Sequence, residues 1–474
     1  MKEEGVLSEQ KELKKQTGMD MTTGSLWKKV LIFALPLALT GILQQMFNAA
    51  DVAVVGQFTG DQGPHCMAAV GSCASLISLL VNLFIGISLG SNVVIANAVG
   101  ARQEHKVRQS VVISIWIALI GGLLLFLFGE WIAQPVLEMM GVPDEVLGLS
   151  VLYFRIYLVG MPVILLYNFE AAVFRGIGSP KIPLYALTTA GVINVILNIV
   201  LVVGFSMKVE GVAIATVGSN LISSIILFIV LVKKKLLHVP DLFHHPIKKD
   251  ILFRILGIGI PSGIQSSVFS IANVVIQSGF NSLGTYVMAA SSASLNIEGM
   301  VYNLMTSFGQ ACTTFTGQCY GAGEIERCKK VLKTCLLEGF IVTMTTSMIV
   351  ILFARPLISI FNSDPRVVDD GILRLTILAC SYFFSIQYEV ISGYLRGFGI
   401  SVLPAVLTTL DVCVLRIFWI LVIFPLQPTY ACILTVFPIS LGSAAILLWI
   451  ALLVKKPATR ILQKREAAKA TARA

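Results

Sequence analysis

Between Asp61 and Arg102 the chain runs 40 residues, Gln62–Ala101, without one charged side chain. A folded surface in water cannot be built from such segments. Soluble globular chains carry about 25% charged residues, whereas this chain of 474 residues carries 13%, against 56% hydrophobic. Val30–Ala50, Gln109–Gly129, Ile182–Met207, Gly211–Val232, Ile255–Ile297, Gly299–Gly323 and Ile417–Val454 are equally free of charge. About 20 apolar residues make one helical bilayer crossing. A run of 40 therefore holds one span, an uncharged turn and part of its neighbour. None of the runs alternates with period two, which argues against barrel strands. Composition excludes a soluble multidomain protein, a disordered chain and a disulfide-dense secreted scaffold.

The runs predict an all-α integral membrane protein of twelve helices, near 30–58, 66–100, 107–129, 147–173, 182–206, 210–232, 251–280, 286–318, 331–354, 370–394, 402–425 and 429–454. Residues 1–29 are polar and mixed in charge, with no apolar core of a cleavable signal. With that tail inside, the alternate inner segments hold 29 of the 35 Lys and Arg residues. The outer loops hold Lys208, Arg355 and Arg366, and the spans hold Arg155, Arg374 and Arg416. The positive-inside rule then places both termini in the cytoplasm and the chain in the plasma (inner) membrane. The basic surplus faces anionic lipid headgroups, so the bilayer and not nucleic acid is its partner.

The chain also repeats itself. Met67-Ala68-Ala69 returns as Met288-Ala289-Ala290, Gly100-Ala101 as Gly321-Ala322, Pro135 as Pro356, Arg175-Gly176 as Arg396-Gly397 and Pro183 as Pro404, each 221 residues on. Earlier, Pro36 meets Pro261 and Asn48 meets Asn273 at 225, the difference falling in the first outer loop. Six spans per copy give the copies one orientation, as parallel repeats about a pseudo-two-fold axis along the membrane normal. The expected domains are a cytoplasmic tail (1–29), an N-terminal lobe (30–232), a cytoplasmic linker (233–250), a C-terminal lobe (251–454) and a basic tail (455–474). Two lobes about a cleft suit alternating access. Pro36 and Pro261 are read as opening the first helix of each copy, Pro183 and Pro404 the fifth, with the capacity to bend them.

These residues resemble a known family. The stretch 48–56 (NAADVAVVG), followed by Ala68-Ala69-Val70-Gly71, is similar to the first-span signature of the multidrug and toxic compound extrusion (MATE) transporters. Gly86, Gly90 and Gly100-Ala101-Arg102 resemble the second span. Asn296-Ile297-Glu298-Gly299 and the stretch 315–322 (FTGQCYGA) resemble its C-terminal counterpart. Arg175-Gly176, Gly178 and Pro180 resemble the loop before the fifth span, and 211–216 (GVAIAT) the sixth. The likeness covers roughly 25–455. It implies a two-lobed, cation-driven antiporter of bacterial type that exports organic compounds, a transporter and not an enzyme.

Asp51 is the leading candidate for ion coupling. A charge at bilayer depth costs about 2.5–3.5 kcal/mol on insertion scales, so intramembrane acids are functional by default. An acid reachable in turn from each side can take up a proton outside and release it inside. Asn194 and Asn198, at i and i+4, share one helical face. Relatives often carry an acid where Asn198 stands, so this chain brings one carboxylate instead of two. With amide oxygens and the Thr216 hydroxyl, that carboxylate could hold Na⁺ or one proton.

For the substrate the candidates are Met46 and Phe47 beside Asp51, and Glu298, Tyr302 and Glu389 in the other lobe. Phe269, Met305, Tyr382 and Tyr388 add apolar surface, individually more consistent with core packing. Methionines repack around varied ligands, and aromatic faces hold organic cations. Glu298 is read as an anion for a cationic substrate, Glu389 as a partner for Arg416, and Glu170 and Arg155 as interfacial. The nine cysteines lack a Cys-x-x-Cys pair, His244-His245 lies in the linker, and no Walker-type loop is present. No cofactor or metal is expected beyond the coupling ion, and a monomer is expected. The alternatives are a lipid-linked saccharide flippase, which needs a basic cavity, and a passive channel or receptor.

Overall fold

The charge-free runs fold as long helices. The computed structural model describes residues 18–244 and 247–471. Most of the N-terminal tail, and His245 of the linker pair, lie outside the described residues. In order come α1 (Leu26–Phe58), α2 (Gly63–Gly100), α3 (Glu104–Met139) and α4, which is a pair (Asp144–Val159 and Met161–Gly176) bent by 50°. Then follow α5 (Lys181–Gly204), α6 (Val209–Lys233), α7 (Lys249–Ser282), α8 (Thr285–Gly321) and α9 (Ile325–Leu352). The series closes with α10 (Pro365–Gly397), α11 (Val402–Leu426), α12 (Tyr430–Lys455) and α13 (Pro457–Thr471).

Among the described residues nine helices, or ten with the bent α4, are long and apolar enough to cross a membrane. The other two expected spans, α8 and α10, have the length, at 37 and 33 residues, but carry more polar groups. In α10 these include Arg374, which is buried and ion-paired. Most helices extend past the expected bounds by a few residues, although α5 ends at Gly204 and α9 at Leu352, each two residues short. Pro183 and Pro404 fall in the first turns of α5 and α11, where a missing N–H costs little. Pro36 and Pro261 do not open α1 and α7 but lie inside them.

Two compact units result. Among the described residues, one comprises Gly18, Leu39–Ile95 and Gln103–Leu256; the other comprises Met19–Ala38, Ala96–Arg102 and the chain from Gly257 onward. The first helix of each repeat thus changes unit within a few residues of its proline. In the second unit Val30 and Phe33 of α1 join Phe308, Phe315 and Cys319 of α8, and Phe33 meets Phe315 edge-on at 5.6 Å. The same unit holds a close crossing of the ends of α2 and α8. A Cβ on Gly100 would collide with the Gln318 carbonyl, and one on Gly321 with the Asn97 carbonyl. Asn97 and Gln318, like Gly100 and Gly321, are 221 residues apart, so the crossing is symmetric in the duplicated sequence. All nine cysteines are free thiols.

Candidate functional site

Asp51 lies in the second half of α1 and is 6% exposed. Two helices serve it. Asn198 Nδ2 on α5 donates to Oδ1 at 2.5 Å, and Thr216 Oγ1 on α6 lies 2.9 Å from Oδ2. Asn198 Nδ2 also reaches Asn194 Oδ1 at 3.3 Å, so the i, i+4 pair presents one face, as its spacing predicts. The four residues that the sequence singles out for ion coupling therefore converge, all buried.

The donor count is informative. Thr216 has one hydroxyl proton and two acceptors, the Val212 carbonyl and Asp51 Oδ2, each at 2.9 Å. When the carboxylate is ionised, Thr216 donates to it. When Asp51 is protonated, the acid can donate to Thr216, whose own proton turns to Val212. Asn198 Oδ1 is a buried acceptor without a donor. The cluster thus has room for one more positive charge, a proton or a small cation with oxygen ligands. The described residues hold no group of three or more His, Cys, Asp or Glu side chains spaced for a metal.

The substrate candidates fare unevenly. Phe47 lies against Gly191 of α5, beside the cluster, where any side chain at 191 would strike its ring. Met46, on the same turn, is exposed. Tyr302 is exposed at 42%, while Met305, Tyr382 and Tyr388 are core residues, Tyr388 stacked on Phe269 at 6.4 Å. Glu298 is not available as a free anion. Arg374 holds it through two bonds of 2.6 and 3.0 Å, donates to Ser291 at 2.5 Å and lies 4.8 Å above the Phe280 ring. Such a fork neutralises both charges where solvent cannot.

Glu389 does not pair with Arg416. Its oxygen is 3.8 Å from Arg396, while Arg416 donates to Ser440 at 3.0 Å and to Asn273 at 3.5 Å and lies 4.8 Å from the Phe437 ring. Arg155 pairs with Glu130 at 3.3 Å. Glu170 is 0% exposed and accepts from Ser224 of α6 at 2.8 Å. Sequence reasoning missed the Glu298–Arg374 and Glu170–Ser224 pairs, whose members are 76 and 54 residues apart. The repeat offers a signal for the second. The position 221 after Glu170 is Ile391, so this acid has no counterpart in the other copy.

Comparison with known proteins bears on the family and the fold. The MatE family model matches residues 36–200 and 261–422, one block in each repeat. The chain is 28% identical over 394 residues to the probable multidrug resistance protein YoeA of Bacillus subtilis, covering 81% of this chain and 84% of that one. It is 25% identical over 394 residues to the probable multidrug resistance protein NorM of Thermotoga maritima, covering 82% and 84%. A crystal structure of MATE in the bent conformation superposes with a TM-score of 0.84 at 21% identity, covering 94% of this chain and 98% of that one. The last is a likeness of fold.

Proposed function

Because the chain belongs to the MatE family of membrane transporters, we propose that it exports small organic compounds, cationic ones foremost, by alternating access in exchange for a proton or Na⁺ bound at Asp51. The observation that carries this reading is the Asp51 cluster. It is a buried carboxylate in a membrane helix, served by an amide and a hydroxyl from two other helices and, among the described residues, by no basic side chain. An acid with a fixed counter-charge would be locked. One with only neutral partners can be filled and emptied within a transport cycle.

Met46, Phe47 and Tyr302 are the substrate contacts that fit this proposal. Glu298 leaves the list because Arg374 occupies it, and Glu389 stays as a weak anion beside Arg396. The Lys and Arg distribution supports an inner-membrane protein with both termini in the cytoplasm, and the proposal takes it as a monomer. The flippase alternative gains no support. Arg155 and Arg374 are each ion-paired, which leaves Arg416 as the remaining arginine expected within the spans.

The test is ethidium uptake into everted membrane vesicles with pH and Na⁺ gradients imposed separately. One of the two gradients should drive accumulation in the wild type and fail in Asp51→Asn. Accumulation under neither gradient, or unimpaired accumulation in the variant, would sink the proposal.

A further inference from the structure

Thr216 and Ser224 are the two ends of a polar face on α6. Thr216, Asn220 and Ser224 follow one another at i+4, and Ser219 and Ser223 form the adjacent row. The four hydroxyl residues are buried, at 8%, 7%, 1% and 2% exposure for 216, 219, 223 and 224. One end touches Asp51. The other touches Glu170, about 12 Å further along the helix at 1.5 Å per residue. Between them Asn220 and Ser219 donate to the Thr216 carbonyl, and Ser223 to the Ala186 carbonyl of α5. The oxygens of these side chains remain free to accept. Steps of three or four residues are about 4.5–6 Å, a gap that one bridging water closes.

At the far end lies unfilled bonding capacity. Glu170 Oε1, Tyr167 Oη and Arg175 Nε are all buried without a partner. The ionisable groups that act on Tyr167, beside Glu170, are Glu170 itself and Arg175, all three on α4. From α6, Ser224 faces Glu170. The carboxylates of α3, which packs on the same helix, are engaged elsewhere, Glu104 with Arg108, Glu130 with Arg155 and Glu138 with Gln134.

The repeat supplies an internal control. Val209 and Tyr430, which begin α6 and α12, are again 221 apart (430 − 209). On that offset Ser224 corresponds to Ala445 and Glu170 to Ile391, both buried and apolar. The fold therefore packs these two positions without a polar pair. An uncompensated buried carboxyl oxygen costs free energy, and folding alone gives no reason for it here.

We propose that Glu170 is a second proton-binding site of this transporter, joined to Asp51 by the hydroxyl face of α6, and that the coupling proton travels between the two. The inference rests on the reading of Asp51 as the coupling carboxylate. The step balances. The Asp51 O–H bond breaks, each hydroxyl or bridging water accepts one proton and gives up its own, and an O–H bond forms at Glu170. Asp51 is left as carboxylate and Glu170 as neutral acid. A chain of hydroxyls moves protons and not Na⁺, and the Arg175 guanidinium near Tyr167 repels a metal cation. The path runs toward the end of α6 that carries Lys233, Lys234 and Lys235, the side the basic residues assign to the cytoplasm.

Purified full-length protein in proteoliposomes tests this, with ethidium as substrate and pyranine as the internal pH indicator. Glu170→Gln should lower pH-gradient-driven ethidium uptake by about tenfold or more, as expected for loss of a proton-transfer group. Ethidium exchange at equal pH should fall by less than about twofold, because substrate binding does not need that proton. Ser224→Ala, which keeps the carboxyl and removes its link, should give a smaller loss of the same kind. The infrared C=O band of a neutral buried carboxylic acid should vanish in Glu170→Gln. Wild-type driven uptake and an unaltered infrared band in Glu170→Gln would overturn the proposal. So would Na⁺-driven, Asp51-dependent uptake without a pyranine response, which leaves the role of Asp51 standing. Undiminished uptake in Asp51→Asn would instead bring down the reading on which this one rests.

Discussion

The two copies of the repeat share their packing and differ in their chemistry. At the offsets that align them, Asp51 corresponds to Ile276, Asn194 to Leu415, Asn198 to Trp419 and Thr216 to Phe437. Ile276 and Phe437 belong to the apolar core of the second unit, and Leu415 and Trp419 pack against it. The C-terminal copy places charge elsewhere, in the buried Glu298–Arg374 fork, in Arg416 on Ser440, and in Glu338, which is buried with neither carboxyl oxygen partnered. The Asp51 site therefore holds a carboxylate among neutral partners, and the Glu298 site holds one matched to a fixed cation. A neutral partner can follow a change of protonation, as Thr216 can by turning between Asp51 and Val212. A guanidinium cannot. A carboxylate of the first kind can change its charge state more readily than one of the second.

The largest effect should come from Asp51. Asp51→Asn keeps the shape and the hydrogen-bonding capacity but carries no exchangeable charge. Gradient-driven ethidium export should fall by about 100-fold or more, the scale on which an essential proton carrier acts. Vesicle transport at matched protein levels measures it. A variant that keeps a tenth of wild-type export would place coupling outside this cluster.

The C-terminal fork predicts the opposite kind of failure. Glu298→Ala or Arg374→Ala leaves one buried charge unpaired, a loss of about 3–5 kcal/mol. Thermal unfolding in detergent should show it, together with poor insertion. Replacing both at once with apolar residues of similar volume, Glu298→Met with Arg374→Leu, should recover most of that loss, because desolvation offsets much of the attraction in a buried pair. If the double replacement folds well yet loses export, the fork belongs to the transport site and the contrast between the copies fails.

Much of this was open to reading in the sequence, for physical reasons. Spans are legible because a bilayer imposes a length and forbids charge, so Gln62–Ala101 announces itself. The duplication is legible because Gly100 and Gly321 must each admit a neighbouring carbonyl, a demand that no other residue meets. The Asp51 cluster was legible in part, since Asn194 and Asn198 advertise a face four residues apart. The partners of Glu298, Arg416 and Glu170 were not. Each lies on another helix, and sequence separation carries no information about which helices meet. The same gap hid the crossover of α1 and α7 between units, where a proline marks the place but not the neighbours.

The symmetric crossing sharpens the comparison from the side of packing. Gly100→Ala and Gly321→Ala each push a methyl into a backbone carbonyl of the opposite helix, and overpacking of this sort costs about 1–3 kcal/mol. The two variants should be destabilised by similar amounts, since each methyl meets the same kind of carbonyl contact at equivalent positions of one crossing. Denaturation of each variant against wild type decides this. A large inequality would mean that the copies differ in their packing as well as in their chemistry.

The smallest expected change is the most discriminating. Glu170→Ile with Ser224→Ala installs in the N-terminal copy the residues that the C-terminal copy already uses at Ile391 and Ala445. If the polar pair exists for proton traffic, its removal takes away a buried carboxyl with an unsatisfied oxygen and leaves a packing solution the fold has adopted once. Replacing a polar pair by apolar groups of similar shape is then close to neutral, within about 1 kcal/mol. Thermal unfolding should be nearly that of wild type or higher. A loss of several kcal/mol would show that Glu170 and Ser224 hold α4 to α6, and that the asymmetry between the copies at this depth is structural.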